Sequence, residues 1–423
     1  MRDVLLGAFA EAAAFNGDIT KWNVARVSNM GMRRGRHEAL SGETNAEGSP
    51  DVAVQADAHL SGRDFPGIWT NSKSRMAQRA VPTLTLKRAF SGARRIVFLG
   101  TPEVAATSLQ ILLDSQAEHK IEVVAVVTRP PARVSGPKAK LCPSPVHQLA
   151  STASVPTFTP ERASDSTFLA AIASLAPDAC VTAAYGNFLP QRFLGIPPFG
   201  TLNIHPSLLP RYRGAAPLSR CLAAGDQETG VSVVSTVLRM DAGPILSQEV
   251  VRLVGNEKST ELLPHLFILG TRLLLRTLPS VWNRTAIPTP QDESAATAAP
   301  KLAAPDARID LRSESALSVH NKVRGFAGWP GVWTTWVVGD SDERRVKLIT
   351  TTVISPEPDR TVASTEITLL LHAGMPALRA VCGDGSVLGI LELQYPGKRV
   401  TDARSFANGL GGRVVRWSTP SAE

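Results

Sequence analysis

The chain has 423 residues, of which 43% are hydrophobic and 19% charged, and its formal net charge is +8. This length predicts two or three domains with cores of ordinary size. The four cysteines lie far apart without CxxC spacing, which argues against a zinc ribbon and a disulfide framework. No uninterrupted apolar run reaches about 18 residues, so no transmembrane helix is predicted. The apolar stretch at 262–275 is interrupted by His265 and Arg272 and predicts a buried helix.

The N-terminal region is basic and poor in acids. Residues 1–95 hold 14 Lys and Arg against 9 Asp and Glu, and residues 65–102 contain no acidic residue. An acid-poor stretch with Arg and Ser is typical of an organelle transit peptide, and Met76 opens its cleanest version. We predict that residues 1–93 form a disordered extension that targets the protein to the mitochondrion or, alternatively, to a plastid. A basic linker without a targeting role is the other interpretation.

Regular structure is predicted from residue 94 onwards. Residues 95–100 form a short apolar run, which predicts a buried strand. Thr101 and Pro102 are expected to begin the following helix as its N-cap and first residue. The β-branched residues at 121–128 predict a second strand, so the order indicates an α/β fold with a parallel sheet. The turn reads GTPEVA, not GxGxxG, and a dinucleotide site is therefore not indicated.

The rest of the chain divides into an α/β part and a β-rich part. Further apolar segments predict strands at 178–185, 200–204 and 230–238. Residues 285–307 are rich in Pro, Ala, Ser and Thr and predict a linker. Gly-Asp-Gly at 383–385 is typical of a turn between two strands. We expect an α/β domain at 94–284 and a small β-rich domain at 308–423.

Three polar residues lie at or just after the ends of two predicted strands. Alternation places Asn203 and His205 on one face at a strand end, and Asp241 comes shortly after the next strand. Ligands of open α/β sheets bind outside such strand ends. Asn, His and Asp without a Ser or Cys nucleophile indicate proton transfer and oxyanion stabilisation rather than covalent catalysis. From spacing alone, a structural histidine and a turn aspartate remain the alternative.

The segment NIHPSLLPRYRGAAP at 203–217 resembles the signature of the folate-dependent formyltransferase family, in particular its methionyl-tRNA formyltransferase branch. Further matching motifs follow the family's order: FLGTPEVAATSLQILL at 98–113, LCPSPV at 141–146, AAYGNFLP at 183–190, AGDQETGVSVV at 224–234, MDAGPIL at 240–246, KLAAPDARIDL at 301–311, VRGFAGWPGVWT at 323–334 and YPGKRVTDARSFANG at 395–409. The resemblance covers about residues 94–415. It implies a Rossmann-like formyltransferase domain with a parallel sheet and a C-terminal barrel similar to an OB-fold.

The resemblance also implies site residues and substrates. Asn203, His205 and Asp241 match the family's catalytic residues, and Ser207, Leu208, Leu209 and Pro210 match its tetrahydrofolate-binding segment. The implied donor is 10-formyltetrahydrofolate, the implied acceptor is the α-amine of initiator Met-tRNA, and no metal is expected. In that chemistry His205 and Asn203 would donate hydrogen bonds to the oxyanion. Asp241 would orient His205 and accept the proton of the amine.

A tRNA-binding surface is the next implication. The expected contacts are basic residues in the loop at 129–140, in the linker and in the C-terminal domain: Arg133, Lys138, Lys140, Lys301, Lys398 and Arg399. Residues 301–423 carry 15 Lys and Arg against 13 acids, a small excess, so an ordinary solvated surface is the alternative. We expect a monomer that binds neither DNA nor membranes.

Two other functions remain open at this point. A formyltransferase for another amine, such as an amino-sugar nucleotide or glycinamide ribonucleotide, would share the Asn–His–Asp site. The GFAGWPGVWT and YPGKR motifs argue against the ribonucleotide type, and the basic loop at 129–140 favours tRNA. A non-catalytic folate- or RNA-binding module would be favoured by loss of one of the three site residues, but all three are present.

Overall fold

The computed structural model describes residues 92–133, 141–356 and 365–418, which belong to one compact unit at 89–423. The predicted disordered targeting extension at 1–93 lies outside the described residues, apart from its last two. The described part contains two large sheets, each with its own apolar core, and one short hairpin.

The first large sheet has seven strands in the order β5-β2-β1-β6-β7-β8-β9. Their bounds, with the hairpin strands β3 and β4 included, are β1 Arg94–Gly100, β2 Ile121–Val127, β3 Ala132–Arg133, β4 Leu141–Cys142, β5 Thr157–Phe158, β6 Ala179–Ala183, β7 Thr201–His205, β8 Glu228–Ser235 and β9 Ile245–Arg252. The strands from β5 to β7 are parallel, as predicted, whereas β8 and β9 are antiparallel to their neighbours. The loop from β8 to β9 is too short for the crossover that a parallel pair requires.

Helices cover both faces of this sheet. They are α1 Glu103–Asp114, α2 Gln116–His119, α3 Pro145–Thr152, α4 Ser166–Ser174, α5 Gln191–Leu194, α6 Pro217–Ala224 and α7 Ser259–Trp282. The core on one face includes side chains of α1, α3 and α7, and the core on the other includes α4 and α5. The strands β1, β2 and β6 are buried on both faces, and most of their residues are therefore apolar. The buried helix predicted at 262–275 is part of α7.

The chain winds outwards from β1 in both directions, to β2 and β5 on one side and to β6 and β7 on the other. Ligand sites of such sheets lie at the carboxyl ends of the strands where the order reverses. The predicted capping role of Thr101 is wrong, because Pro102 is the N-cap of α1. The Thr101 hydroxyl instead donates to the backbone oxygen of Tyr185 at 2.9 Å and ties together the loops after β1 and β6.

The second large sheet is antiparallel and forms a small barrel. Its strands are β10 Trp333–Val338, β11 Asp342–Ser355, β12 Thr368–His372, β13 Met375–Val381, β14 Val387–Gln394, β15 Thr401–Asp402 and β16 Val415–Trp417, with α8 Ala316–Gly325 and α9 Ala403–Gly409 packed against them. The strand order is β12-β13-β14-β11-β10-β16. Residues 365–367, which lead into β12, pair with β16 and close the ring. This barrel confirms the OB-like expectation.

The predicted linker at 285–307 is bonded to the first sheet domain along much of its length. It contains the short 3-10 turns Glu293–Ala295 and Ala304–Ala307. Thr289 forms a β-bridge with Ile245, and Ala298 forms one with Arg213. We call residues 289–299 the strap, because they cross the loops that follow β7 and β8.

The two sheet domains meet through close helix packing and buried polar groups. Gly325 of α8 lies so near α6 that an added Cβ would be 2.6 Å from the backbone oxygen of Ser219. His320 of α8 has Nε2 3.0 Å from the Gly255 carbonyl oxygen and Nδ1 3.0 Å from the Thr351 hydroxyl. A carbonyl only accepts, so Nε2 carries a proton, and the Thr351 hydroxyl can donate to an unprotonated Nδ1. The neutral form of His320 therefore satisfies both partners in this contact.

Acid should weaken this contact. Burial lowers the pKa of His320, and the nearby Arg324 charge acts in the same direction. The unfolded chain then binds the proton more readily, so the contribution of His320 to stability is constant above about pH 6.5 and decreases below it. The decrease is at most about 1.4 kcal/mol per pH unit.

Denaturant unfolding of the wild type and His320→Gln at about pH 7.5 and about pH 5.5 measures this contribution. Glutamine can donate to Gly255 and accept from Thr351 without titrating. The variant should therefore lose less free energy of unfolding between the two pH values than the wild type. Equal losses would show that His320 does not carry the pH dependence.

In the described segments no helix is both long and apolar enough to cross a bilayer.

Candidate active site

β7 presents Asn203 and His205 on one face at the carboxyl end of the parallel strands. The Asn203 amide has a fixed orientation, because its Oδ1 accepts a 2.7 Å hydrogen bond from the hydroxyl of Thr182, its partner on β6. Its Nδ2 group therefore points into the site and donates to Asp241 Oδ1 at 3.3 Å. An amide nitrogen carries two hydrogens, so one remains for a substrate oxygen.

His205 is buried, with 4% of its surface exposed, and its ring is held by a backbone group. Nε2 lies 2.9 Å from the carbonyl oxygen of Tyr212 and must carry the proton in that hydrogen bond. Nδ1 is thus the ring atom left for chemistry, and it lies 3.7 Å from Asp241 Oδ1. Tyr212 reaches its position with a left-handed φ of 63°. Its hydroxyl donates to Asp226 at 2.9 Å.

Asp241 lies in the loop between β8 and β9 and completes the group. Its Oδ2 accepts a 2.9 Å hydrogen bond from the backbone N–H of Gly214, in the loop after β7. Its Oδ1 faces both Asn203 and His205. Asp241 has a left-handed φ of 49°, which is unfavourable for a residue with a Cβ. The structure thus brings together the three residues that the sequence singled out.

The arrangement suits proton transfer next to a developing negative charge. Asp241 and Nδ1 of His205 can share or pass one proton, and the free Asn203 hydrogen can stabilise an oxyanion. The predicted hydrogen bond from His205 to the oxyanion is restricted to Nδ1, since Nε2 is bound to Tyr212. The catalytic roles themselves stay predictions.

The segment Ser207–Leu208–Leu209–Pro210 forms a fixed wall beside this group. Ser207 and Leu209 are buried, whereas Leu208 and Pro210 are partly exposed. The Ser232 hydroxyl of β8 accepts from the Leu209 N–H and donates to the Ser207 carbonyl. The assignment of this segment to folate binding stays a prediction.

The Ser207 hydroxyl and the Cys221 thiol are both poorly suited to act as nucleophiles. The Ser207 hydroxyl donates to the carbonyl oxygen of Arg211 at 2.8 Å. Burial raises the pKa of the Cys221 thiol to about 12, so it stays protonated near neutral pH. Within the described residues, no three His, Cys, Asp or Glu side chains lie close enough to hold a metal ion.

The comparisons with known proteins agree with this geometry. The Formyl transferase model matches residues 94–278, and the model of the Formyl transferase C-terminal domain matches residues 301–411. Methionyl-tRNA formyltransferase of Staphylococcus epidermidis is 34% identical over 324 residues, which are 76% of this chain and 98% of that protein. The enzyme of the same name from Pelobacter propionicus is 39% identical over 317 residues, covering 75% of this chain and 93% of that protein.

The chain belongs to the methionyl-tRNA formyltransferase family. Membership confirms the predicted fold class and the predicted enzyme class, a one-carbon group transferase. Among solved structures, WlaRD, a sugar 3N-formyl transferase, aligns with a TM-score of 0.49 and 14% identity over 73% of this chain and 100% of that one. A variant of HypX from Aquifex aeolicus aligns with a TM-score of 0.49 and 18% identity, and this chain covers 50% of it.

The basic residues expected to bind tRNA lie on three separate elements of this formyltransferase. Arg133 is exposed on β3 of the short hairpin, and Lys301 is exposed just beyond the strap. Lys398 and Arg399 are exposed on the turn between β14 and β15. Lys138 and Lys140 lie outside the described residues.

A further basic surface on the barrel was not predicted from the sequence. We call it the Trp333 surface. It consists of Trp333 on β10 and the cations that share its outward face: Arg308, Arg345, Lys347 and Arg416. The guanidinium carbons of Arg308 and Arg345 lie 5.8 and 3.7 Å from the centre of the Trp333 ring. Glu343 is an acidic residue on the same face. The inside-outside alternation of WTTWVV next to RRVK is the signal that could have revealed it.

Proposed function

We propose that this enzyme transfers the formyl group of 10-formyltetrahydrofolate to the α-amine of initiator Met-tRNA, for translation initiation in the mitochondrion. The observation that carries the transfer is the group of Asn203, His205 and Asp241 at the carboxyl end of β7, in a chain similar to methionyl-tRNA formyltransferases over nearly their full length. The organellar part rests on the acid-free basic stretch at 65–102, which precedes almost all of the family match.

The three side chains can support each stage of this transfer. The neutral amine attacks the formyl carbon, and the Asn203 amide hydrogen stabilises the oxygen that becomes negative. Asp241, paired with Nδ1 of His205, accepts the proton that the amine loses. The tetrahedral intermediate then collapses: the bond from carbon to N10 of the folate breaks, and N10 takes up the proton that Asp241 accepted from the amine. Formyl-Met-tRNA and tetrahydrofolate result, without a covalent enzyme intermediate.

The decisive experiment measures formyl transfer from 10-formyltetrahydrofolate to initiator and elongator Met-tRNA by the purified protein. We expect turnover with Met-tRNA and none with a dTDP-amino sugar. Turnover with the amino sugar alone would replace the proposed acceptor with a sugar nucleotide. Binding of folate or RNA without turnover on either acceptor would favour a non-catalytic module.

The targeting proposal has its own test. Residues 1–93, and separately residues 76–93, are fused to a fluorescent protein and followed in cells of the source. We expect both fusions to enter the mitochondrion, and the enzyme without residues 1–93 to keep its activity. A plastid signal would change the organelle, a cytosolic signal from both fusions would refute targeting, and loss of activity would make the extension part of the enzyme.

We also propose that the Trp333 surface contributes to tRNA binding. Arg345→Ala should raise the KM for Met-tRNA several-fold and reduce the salt dependence of that KM, since each lost phosphate contact removes roughly one unit of the logarithmic slope. Arg344→Ala is a matched control, because it removes the same charge from the neighbouring residue, which pairs with the inward-facing Trp336 and lies on the opposite face of the sheet. Equal effects of both variants would argue for a general charge effect and against this surface.

A further inference from the structure

Gln291, in the strap, uses every polar atom of its side chain to hold the loops of the active site. Its Nε2 donates to the backbone oxygen of Asp241 at 2.8 Å and to that of Gly243 at 2.7 Å. Its Oε1 accepts a 2.9 Å hydrogen bond from Nε of Arg213. A primary amide has two hydrogens, so both are committed to the loop between β8 and β9.

The loop between β8 and β9 needs such support. Asp241 has a left-handed φ of 49°, a conformation that costs of order 1–3 kcal/mol and persists only when the surroundings impose it. The residues just before it, 237–240, are exposed and offer little packing. The two carbonyl groups bound by Gln291 flank the turn that aims the Asp241 carboxylate at His205. These two hydrogen bonds therefore support the backbone at Asp241, the residue with the strained φ.

The same strap also holds the loop after β7. Arg213 donates to both carboxylate oxygens of Glu293 at 3.0 Å, and its side chain is only 9% exposed. The hydroxyl of Thr297 accepts from the backbone N–H of Tyr212 at 2.8 Å, and the carbonyl of Tyr212 holds the His205 ring. One segment of the linker thus contacts both loops whose relative position sets the distance from Asp241 to His205.

We propose that Gln291 is a positioning residue for formyl transfer, which acts on the reaction through the backbone of Asp241. The inference rests on the proposed function for its kinetic readout, but not for its spectroscopic one. It gives the interdomain linker a role in the chemistry of the first domain, whereas the sequence indicated only a connector.

The kinetic test compares Gln291→Leu with the wild type and with Ser294→Ala. Ser294 lies in the same strap, but its hydroxyl bonds to Asp292. A misplacement of about 1 Å can cost about 100-fold in rate. We therefore expect Gln291→Leu to lower kcat by about 10- to 100-fold with the KM for 10-formyltetrahydrofolate within about threefold, and Ser294→Ala to be unchanged. Gln291→Glu keeps the acceptor for Arg213 but loses both donors, so it should be no better than leucine.

A double-mutant cycle separates positioning from general loosening. If Gln291 acts through Asp241, then Gln291→Leu should lower kcat less than about twofold further in the Asp241→Asn background. The 15N chemical shifts of the His205 ring should also change in Gln291→Leu, because Nδ1 faces the displaced carboxylate. This readout needs no substrate and stays valid if Met-tRNA is not the acceptor.

Three outcomes would overturn the proposal: wild-type kcat in Gln291→Leu, a full multiplicative loss in the Asp241→Asn background, or unchanged His205 shifts in a folded variant. If Gln291→Leu fails to fold, Gln291→Glu supplies the same three measurements. An inactive wild type with altered His205 shifts in the variant would refute the proposed function and leave the positioning role standing.

Discussion

Asp241→Asn is expected to lower kcat for formyl transfer by at least about 100-fold while the protein stays folded. The Asp241 carboxylate accepts hydrogen bonds from Asn203 and Gly214 and faces Nδ1 of His205. Asparagine can keep the bond from Gly214 through its oxygen, so the loop should hold. Its amide, however, would point a donor at the Asn203 amide and could not accept the proton of the amine.

The loss should appear in kcat and not in the KM for either substrate, because the carboxylate acts when the proton moves. Asp292→Asn is the matched control: it removes one carboxylate from the strap at an exposed position, where the carboxylate accepts hydrogen bonds from Ser294 of its own turn. His205→Ala should cost at least about 100-fold as well, but Asp241→Asn and His205→Ala together should cost little more than either one, since they act on one proton. Near-normal turnover of either purified single variant would remove that residue from the mechanism.

Sequence patterns predicted the first domain well where burial alone decides the structure. β1, β2 and β6 are largely apolar, and each lies within two residues of its predicted bounds because a strand buried on both faces tolerates few polar residues. The antiparallel direction of β8 and β9 was not predicted, since direction depends on the length and path of the connection and not on residue type. Thr101 failed as a predicted cap because the Tyr185 carbonyl, distant in sequence, takes its hydroxyl.

In the active site, the sequence identified the candidate catalytic residues but not the groups that orient them. Asn203 and His205 could be paired from strand alternation, and Asp241 was grouped with them from its place after the next predicted strand and then from the family motif. The groups that orient them could not be found this way. Thr182, Tyr212 and Gln291 act through a hydroxyl, a backbone carbonyl and an amide, and their partners are defined only by the tertiary fold. Local patterns do not encode such contacts, so a linker rich in Pro, Ala, Ser and Thr looked like a spacer.

Gly243→Ala should disrupt the active site through a single methyl group. An added Cβ at Gly243 would lie 1.6 Å from the backbone oxygen of Ser235, far inside contact distance, and that atom belongs to β8. Where the loop between β8 and β9 begins and ends, the Ser235 N–H donates a 3.0 Å hydrogen bond to the Pro244 carbonyl. We call this pair of residues the neck of the loop. Backbone must therefore move on one side or the other, and overpacking of this kind costs about 1–3 kcal/mol or more.

The displaced segment carries Asp241 two residues earlier, so the expected loss in kcat is about 100-fold, comparable with the cost of misplacing a catalytic group by about 1 Å. Gly409→Ala is the control, because Gly409 is exposed at the end of α9 and an added Cβ would meet nothing within 4 Å. Thermal unfolding and single-turnover kinetics on both variants separate the two effects: Gly243→Ala should lower Tm and slow the chemical step, and Gly409→Ala should change neither. A variant at Gly243 with a lowered Tm and an unchanged chemical step would mean that the loop absorbs the methyl group away from Asp241, and that the carboxylate does not depend on the neck of the loop for its position.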